Sequence, residues 1–256
     1  MLYMKKLELP KIGFGTYGLR GNDCTRSVLT ALKVGYRFID TAEYYNNEGA
    51  VGKALMKTSV PRDEVIVATK LWTDHLGDKD VIPAAQTCLN RLDLSYIDLL
   101  YVHWPGGVYR PEVTIPRMNQ LVDKEIVRYI GVSNFNKNQI ENAKENSKYP
   151  IYFNQVECHP YKPKNGLFKY MQDNQMELIA YSPLAKGRML KDETLSQIGN
   201  KYNASAAQIA LAWSIQNKRI PIPKSGKSEH IKANFAALEI ELDPSDMELI
   251  GNLSGQ

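Results

Sequence analysis

Asp40, Tyr45, Lys70 and His103 stand at or just past the ends of strand-like apolar runs, and together their types suit proton delivery. Asp40 closes the run 36–40, Lys70 the run 65–70 and His103 the run 97–103. A carbonyl that accepts hydride needs a proton on its oxygen, yet tyrosine, with a reference pKa of about 10, is a poor acid near neutrality. A lysine ammonium about 4 Å away, at an effective dielectric of about 20, is worth on the order of 4 kcal/mol, roughly 3 pK units, before desolvation opposes it. Lys70 is the available cation, and Asp40 supplies the charge that keeps a buried lysine ionised. His103 could donate from one ring nitrogen to the substrate oxygen. Taken singly, Asp40 and Lys70 could equally be a structural ion pair, His103 a satisfied core histidine and Tyr45 a surface aromatic.

Such groups converge only if successive strands end on the same side. The chain alternates strand and helix patterns: strands at 36–40, 65–70, 97–103, 127–133, 152–156, 177–182 and 219–223, with a short eighth at 236–239. Helical spacing occupies 28–34, closed by Gly35, then 47–56, 81–92 and 204–216. Ahead of these, residues 7–16 predict two short strands turning at Pro10-Lys11, a β-hairpin that would plug one end. This order predicts an α/β fold, a (β/α)8 TIM barrel with a short N-terminal β-hairpin, as one domain over residues 1–256. Barrel active sites lie at the C-terminal strand ends, where the four residues fall.

Composition narrows the partners. With 32 Lys plus Arg against 28 Asp plus Glu, the formal charge is +4, and no basic run interleaved with aromatics marks a nucleic-acid surface. The three cysteines, Cys24, Cys88 and Cys158, are too few and too scattered for a disulfide framework or a metal site, which suits a reduced, cytoplasmic setting. No stretch reaches the roughly 20 apolar residues of a membrane span, and no export segment opens the chain.

Eight ordered motifs, at 9–16, 35–42 with Tyr45, 68–72, 98–105, 131–135, 155–160, 181–184 and 222–225, resemble those of the aldo-keto reductases almost end to end. The resemblance implies NAD(P)H-dependent reduction of aldehydes or ketones, with Tyr45 as proton donor, Lys70 and Asp40 lowering its pKa, and His103 orienting the carbonyl. It also makes Tyr45, and not its neighbour Tyr44, the acid. The glycine-rich dinucleotide fingerprint is missing, so the resemblance puts the cofactor at the strand ends. Ser133, Asn134 and Gln155 would hold the nicotinamide amide, and Tyr181 would stack on the ring. Gly15 and Thr16 line the same region, and Ser182, Pro183 and Leu184 the pyrophosphate. Ile222, Pro223, Lys224, Ser225, Lys227, His230 and Asn234 would surround the adenosine end. Tyr17, Trp72 and Trp104 would line the substrate pocket.

Two departures modify this expectation. His230 and Ala233 stand where many relatives place an arginine and an acidic residue, so NADPH is expected as cofactor with NADH usable, and the preference should grow as a histidine gains charge. Little chain follows Leu253, and the segment 106–116 is short, so an open site with broad specificity for small carbonyls is expected. The resemblance implies a monomer. Two alternatives stay open: a cofactor-binding regulatory barrel without catalysis, and a different barrel enzyme using Lys70 as a Schiff-base amine.

Overall fold

In the computed structural model, which describes residues 6–254, eight parallel strands follow one another round a single sheet in chain order. They are β1 (Phe14–Gly15), β2 (Phe38–Asp40), β3 (Ile66–Leu71), β4 (Ile97–Val102), β5 (Val127–Ser133), β6 (Phe153–Glu157), β7 (Glu177–Tyr181) and β8 (Ile220–Pro221). Between and after them come α1 (Gly21–Val34), α2 (Glu48–Lys57), α3 (Val81–Leu92), α4 (Pro111–Asp123), α5 (Lys137–Glu145), α6 (Asn165–Asp173), α7 (Glu193–Lys201), α8 (Ala206–Gln216), α9 (Ser228–Ala236) and α10 (Pro244–Gly251). No helix among the described residues is long and apolar enough to cross a membrane. Residues 1–5, 255 and 256, on which part of the reading of the chain ends fell, lie outside the described residues.

Two expectations are corrected. There is no hairpin at 7–16: residues 6–10 have no regular structure, and Phe14–Gly15 is the first strand of the barrel, parallel to β2. Residues 236–239 are helical, the end of α9 and a tight turn after it. The missing eighth strand is therefore β1, and the run 219–223 supplies β8. The sheet curls until β8 meets β1, where Gly13 N donates to Pro221 O at 3.0 Å and Gly15 N to Pro223 O at 3.1 Å. Neither proline can donate in return, so this closure runs one way only.

The period-2 alternation of the strands builds two apolar layers and positions the chemistry. Phe38, Ala68, Leu99 and Tyr101 meet Phe153, Ile179, Ile220 and Ile222 inside the barrel. Ile39, Val67, Leu100 and Val102, between them in sequence, pack outward against the helices. Asp40, Lys70 and His103 continue the inward series of β2, β3 and β4, two residues beyond Phe38, Ala68 and Tyr101. They thus form a polar layer on top of an apolar plug.

Helix spacing depends on small residues at one point. A Cβ on Gly52 of α2 would lie 2.2 Å from the carbonyl oxygen of Leu92 at the end of α3. Backbone cannot yield as a side-chain tip can, so Gly52→Ala is expected to cost about 1–3 kcal/mol. A urea midpoint unchanged from wild type would refute this.

Candidate active site

Lys70 and Asp40 form an ion pair closed off from solvent, with side-chain exposures of 0% and 2%. Lys70 Nζ donates to Asp40 Oδ1 at 2.6 Å and to Thr41 O at 2.7 Å, while Gln155 Nε2 donates to Asp40 Oδ2 at 2.7 Å. Both carboxylate oxygens are thereby engaged. Burial pushes the Asp40 carboxyl up and the Lys70 ammonium down, and their mutual attraction opposes both shifts.

Tyr45 reaches this pair from a 3-10 turn, Glu43–Tyr45, after β2. Asn46, in the left-handed region at φ 52, ends the turn, a conformation asparagine tolerates better than most residues. Asn47 then locks the loop, accepting from Thr41 Oγ1 at 2.6 Å and donating to Thr16 O at 2.9 Å and Leu19 O at 3.0 Å. Glu43 ties the turn to the end of β3 by accepting from Trp72 N at 2.9 Å. The Tyr45 ring centre lies 5.1 Å from Lys70 Nζ and 5.7 Å from the His103 ring.

The electrostatics differ from the sequence expectation. Burial pushes the Tyr45 hydroxyl above its ordinary range, and the nearby charge of Asp40 adds to the effect. The cation offers little relief because Asp40 already neutralises it at 2.6 Å. His103 moves the other way: burial, and secondarily Lys70, lower it to about 3. The ring is therefore neutral near pH 7. Its Nδ1 is buried with no partner, and a buried acceptor without a donor costs less than a buried orphan N–H, so the proton belongs on Nε2.

A consequence for stability follows. Between its ordinary pKa of about 6.5 and the folded value of about 3, His103 binds a proton only when unfolded, so stability rises with pH across that window. The contribution is complete above about pH 6.5 and is lost at about 1.4 kcal/mol per pH unit as pH falls. Urea unfolding of wild type and His103→Gln at pH 7, 6 and 5 should diverge by that slope. Parallel profiles would contradict it.

Above the tetrad opens a cavity of about 1010 Å³, walled at one end by Asp40, Tyr45 and His103 and at the other by His230 and Asn234. Tyr17, Trp72 and Trp104 all line it, as do Gly15, Thr16, Ser133, Asn134, Gln155, Tyr181, Ser182, Pro183, Leu184, Ile222, Pro223, Lys224 and Ser225. Lys227 does not: it is the N-cap of α9, and its amide donates to Ser225 Oγ at 3.1 Å. Sequence reasoning missed Leu190, Ser205, Gln208 and Glu229 on the wall. Ser205 and Gln208 form the capping box of α8, and the Ser-x-x-Gln spacing could have marked that helix start. Tyr44 also belongs here, its ring stacked on Trp72 at 4.1 Å and 21°.

The residues expected at the nicotinamide amide are already bonded to one another. Ser133 Oγ donates to Gln155 O at 2.8 Å, Asn134 Nδ2 to His103 O at 3.0 Å, and Tyr181 OH to Asn134 Oδ1 at 2.9 Å. With Gln155 on Asp40, a continuous polar network links Tyr181 to the buried ion pair.

The model of the Aldo/keto reductase family matches residues 11–254. This chain belongs to that family. A glyoxal reductase of Bacillus subtilis (strain 168) is 36% identical over 249 residues, 97% of this chain and 90% of its own length. A methylglyoxal reductase, DkgB, of Escherichia coli O157:H7 is 36% identical over 256 residues, covering 96% and 94%. The crystal structure of an aldo-keto reductase from a deep-sea metagenome library superposes with a TM-score of 0.92 at 37% identity, over 97% of this chain and 93% of that one.

As an aldo-keto reductase the chain is an oxidoreductase of carbonyl compounds, and the family works with nicotinamide cofactors generally. The cavity fits such a group on its own terms. It is at the upper end of the roughly 300–1,000 Å³ of small-molecule sites, far more than a small aldehyde fills. Along its wall the amides of Ser182 and Leu184 make no backbone hydrogen bond among the described residues, and α9 begins without a side-chain cap. Free amides at a helix start suit a phosphate. Among the described residues no cluster of His, Cys, Asp and Glu could hold a metal ion.

Proposed function

We propose that this aldo-keto reductase reduces small aldehydes and ketones to alcohols with NADPH, using Tyr45 as the proton donor. The observation that carries the reading is the closed Lys70–Asp40 pair beneath Tyr45, with a neutral His103 facing the same cavity. Bound reduced nicotinamide would supply the hydride. His103 Nε2–H holds the carbonyl oxygen, and Tyr45 passes its proton to that oxygen as negative charge develops there. A forming alkoxide is about as basic as hydroxide, the conjugate base of water with a pKa of about 15.7, so a phenol above its usual range still transfers its proton readily. Lys70 then faces the phenolate left behind, and Asp40 keeps Lys70 charged. This role differs from ground-state acidification of the tyrosine and needs no lowered pKa.

Ser133, Asn134 and Gln155 would meet the nicotinamide amide, Tyr181 its ring, and Ser182 to Leu184 the pyrophosphate. Lys224, Ser225 and the open start of α9 favour a 2′-phosphate. Against strict selection stand Glu229 on the same wall and His230 without a guanidinium fork. NADH should therefore be usable. His230→Arg is expected to raise the NADPH/NADH ratio of kcat/KM about tenfold, one charge-assisted bond of about 1.5 kcal/mol. An unchanged ratio would remove His230 from the 2′-phosphate site.

The mouth is aromatic, with Tyr17 63% and Trp104 44% exposed, and offers few charged partners for a substrate. Small uncharged carbonyls suit it, and the relatives named for glyoxal and methylglyoxal make these the first substrates to try. A monomeric, single-domain cytoplasmic enzyme completes the proposal. A panel of aldehydes, ketones and alcohols followed at 340 nm with each cofactor tests it. No turnover of any small aldehyde would overturn the reading.

A further inference from the structure

At the opposite end of the barrel, Arg219 presents a buried charge with no counter-ion. The residue is 3% exposed, and its guanidinium lies 4.2 Å from the Phe168 ring centre and 5.2 Å from that of Trp213. The acceptors it finds are neutral: Pro163 O at 3.1 Å, Asn165 Oδ1 at 2.8 Å and Asn217 O at 3.3 Å, with the Cys158 side chain also beside it, a thiol that burial pushes up to about 11 and so keeps protonated. Its Nε is buried with no partner, and no carboxylate pairs with it among the described residues. Taking an ion out of water costs several kcal/mol unless opposite charge repays it. Burial accordingly lowers the pKa of this guanidinium.

Arg219 forms part of the wall of a second cavity, of about 440 Å³, beside the first residues of β7 and β8. Lys6, Lys11 and Lys218 line it too. The single acid on this wall, Glu177, already pairs with Lys6 at 2.7 Å. Four cations thus face one carboxylate around a hollow whose floor includes Phe168 and Met176. A basic concavity with low-dielectric walls concentrates anions.

We propose that this cavity binds a small polyanion, a compact molecule carrying two or more carboxylate or phosphate groups. The lysines meet the charged groups at the rim, and Arg219 provides the field from beneath. Nothing in this site depends on the reductase reading, because the cavity lies at the strand starts and the tetrad at the strand ends.

Calorimetric titration of the full-length protein with citrate, and separately with inorganic pyrophosphate, tests the site. At least one of them should bind, more weakly as salt rises. Lys11→Gln with Lys218→Gln, both at exposed positions, should weaken that binding about tenfold or more, the effect of two lost charges at about 0.7 kcal/mol each. Arg219→Met, which keeps an apolar chain over Phe168, should weaken it further, and if that variant does not fold the lysine pair decides. Lys224→Gln with Lys227→Gln removes charge in and beside the large cavity, whose free amides also suit pyrophosphate, and should leave the binding component that responds to Lys11 and Lys218 unchanged. Absence of binding up to about 20 mM anion would overturn the proposal. So would binding that ignores Lys11 and Lys218, or that disappears with Lys224 and Lys227.

Discussion

Replacing Tyr45 with phenylalanine is expected to lower kcat for small-aldehyde reduction about 10²–10⁴-fold while leaving cofactor Kd within about twofold. The substitution keeps the ring that packs 5.0 Å from Tyr17 and 5.7 Å from His103, and removes only the hydroxyl. The Tyr44 ring is turned onto Trp72, and the Tyr181 hydroxyl is committed to Asn134. Because burial holds Tyr45 protonated, the reductive rate of wild type should not fall until well into the alkaline range. Retention of most activity by Tyr45→Phe would sink the mechanism, and tryptophan fluorescence titration with cofactor would show whether a loss reflects chemistry or binding.

Asp40→Asn is expected to destabilise the fold by about 3–5 kcal/mol, a large part of the 5–15 kcal/mol of a typical domain. Two donors, Lys70 Nζ and Gln155 Nε2, now converge on two carboxylate oxygens. An asparagine offers one oxygen and one NH₂, so at a position closed off from solvent it cannot accept from both donors unless the Gln155 amide turns over. Lys70 would be left buried without its counter-charge, and burial would drive it towards the neutral amine. Lys70→Met should cost a comparable amount by stranding Asp40. The double substitution should cost clearly less than the two singles summed, as a closed pair requires. Additive urea-unfolding energies would show that the pair is not coupled.

The polar layer was legible because it depends on short-range rules. Strand alternation sets the facing of Asp40, Lys70 and His103 once Phe38, Ala68 and Tyr101 are recognised as interior. Gly35 at φ 125 closes α1 as its place in the sequence predicts. What failed lacks a local signal. β1 is only Phe14 and Gly15, preceded by Gly13, and pairing with distant strands is what makes it one. Ala236-Ala237-Leu238-Glu239 contains good helix formers, and read as a strand it contradicted its own propensity. The cavity wall contributed by α8 is invisible locally, since Ser205 and Gln208 meet Asp40's cavity only through barrel closure. The direction of the Tyr45 shift likewise depends on how completely the fold buries the hydroxyl and on the charge of Asp40 near it, which are properties of packing and not of residue type.

The one-way closure between β1 and β8 makes a zip with half its teeth. The Gly13 and Gly15 amides donate hydrogen bonds to the carbonyls of Pro221 and Pro223, and the prolines donate none back. Gly15, Thr16, Ile222 and Pro223 on either side of this zip are also walls of the large cavity. A molecule filling the cavity therefore rivets together this one-way join of the barrel, and at 100 times its Kd it would add about 2.7 kcal/mol to the whole fold. Loading the enzyme and fastening the barrel shut become one event.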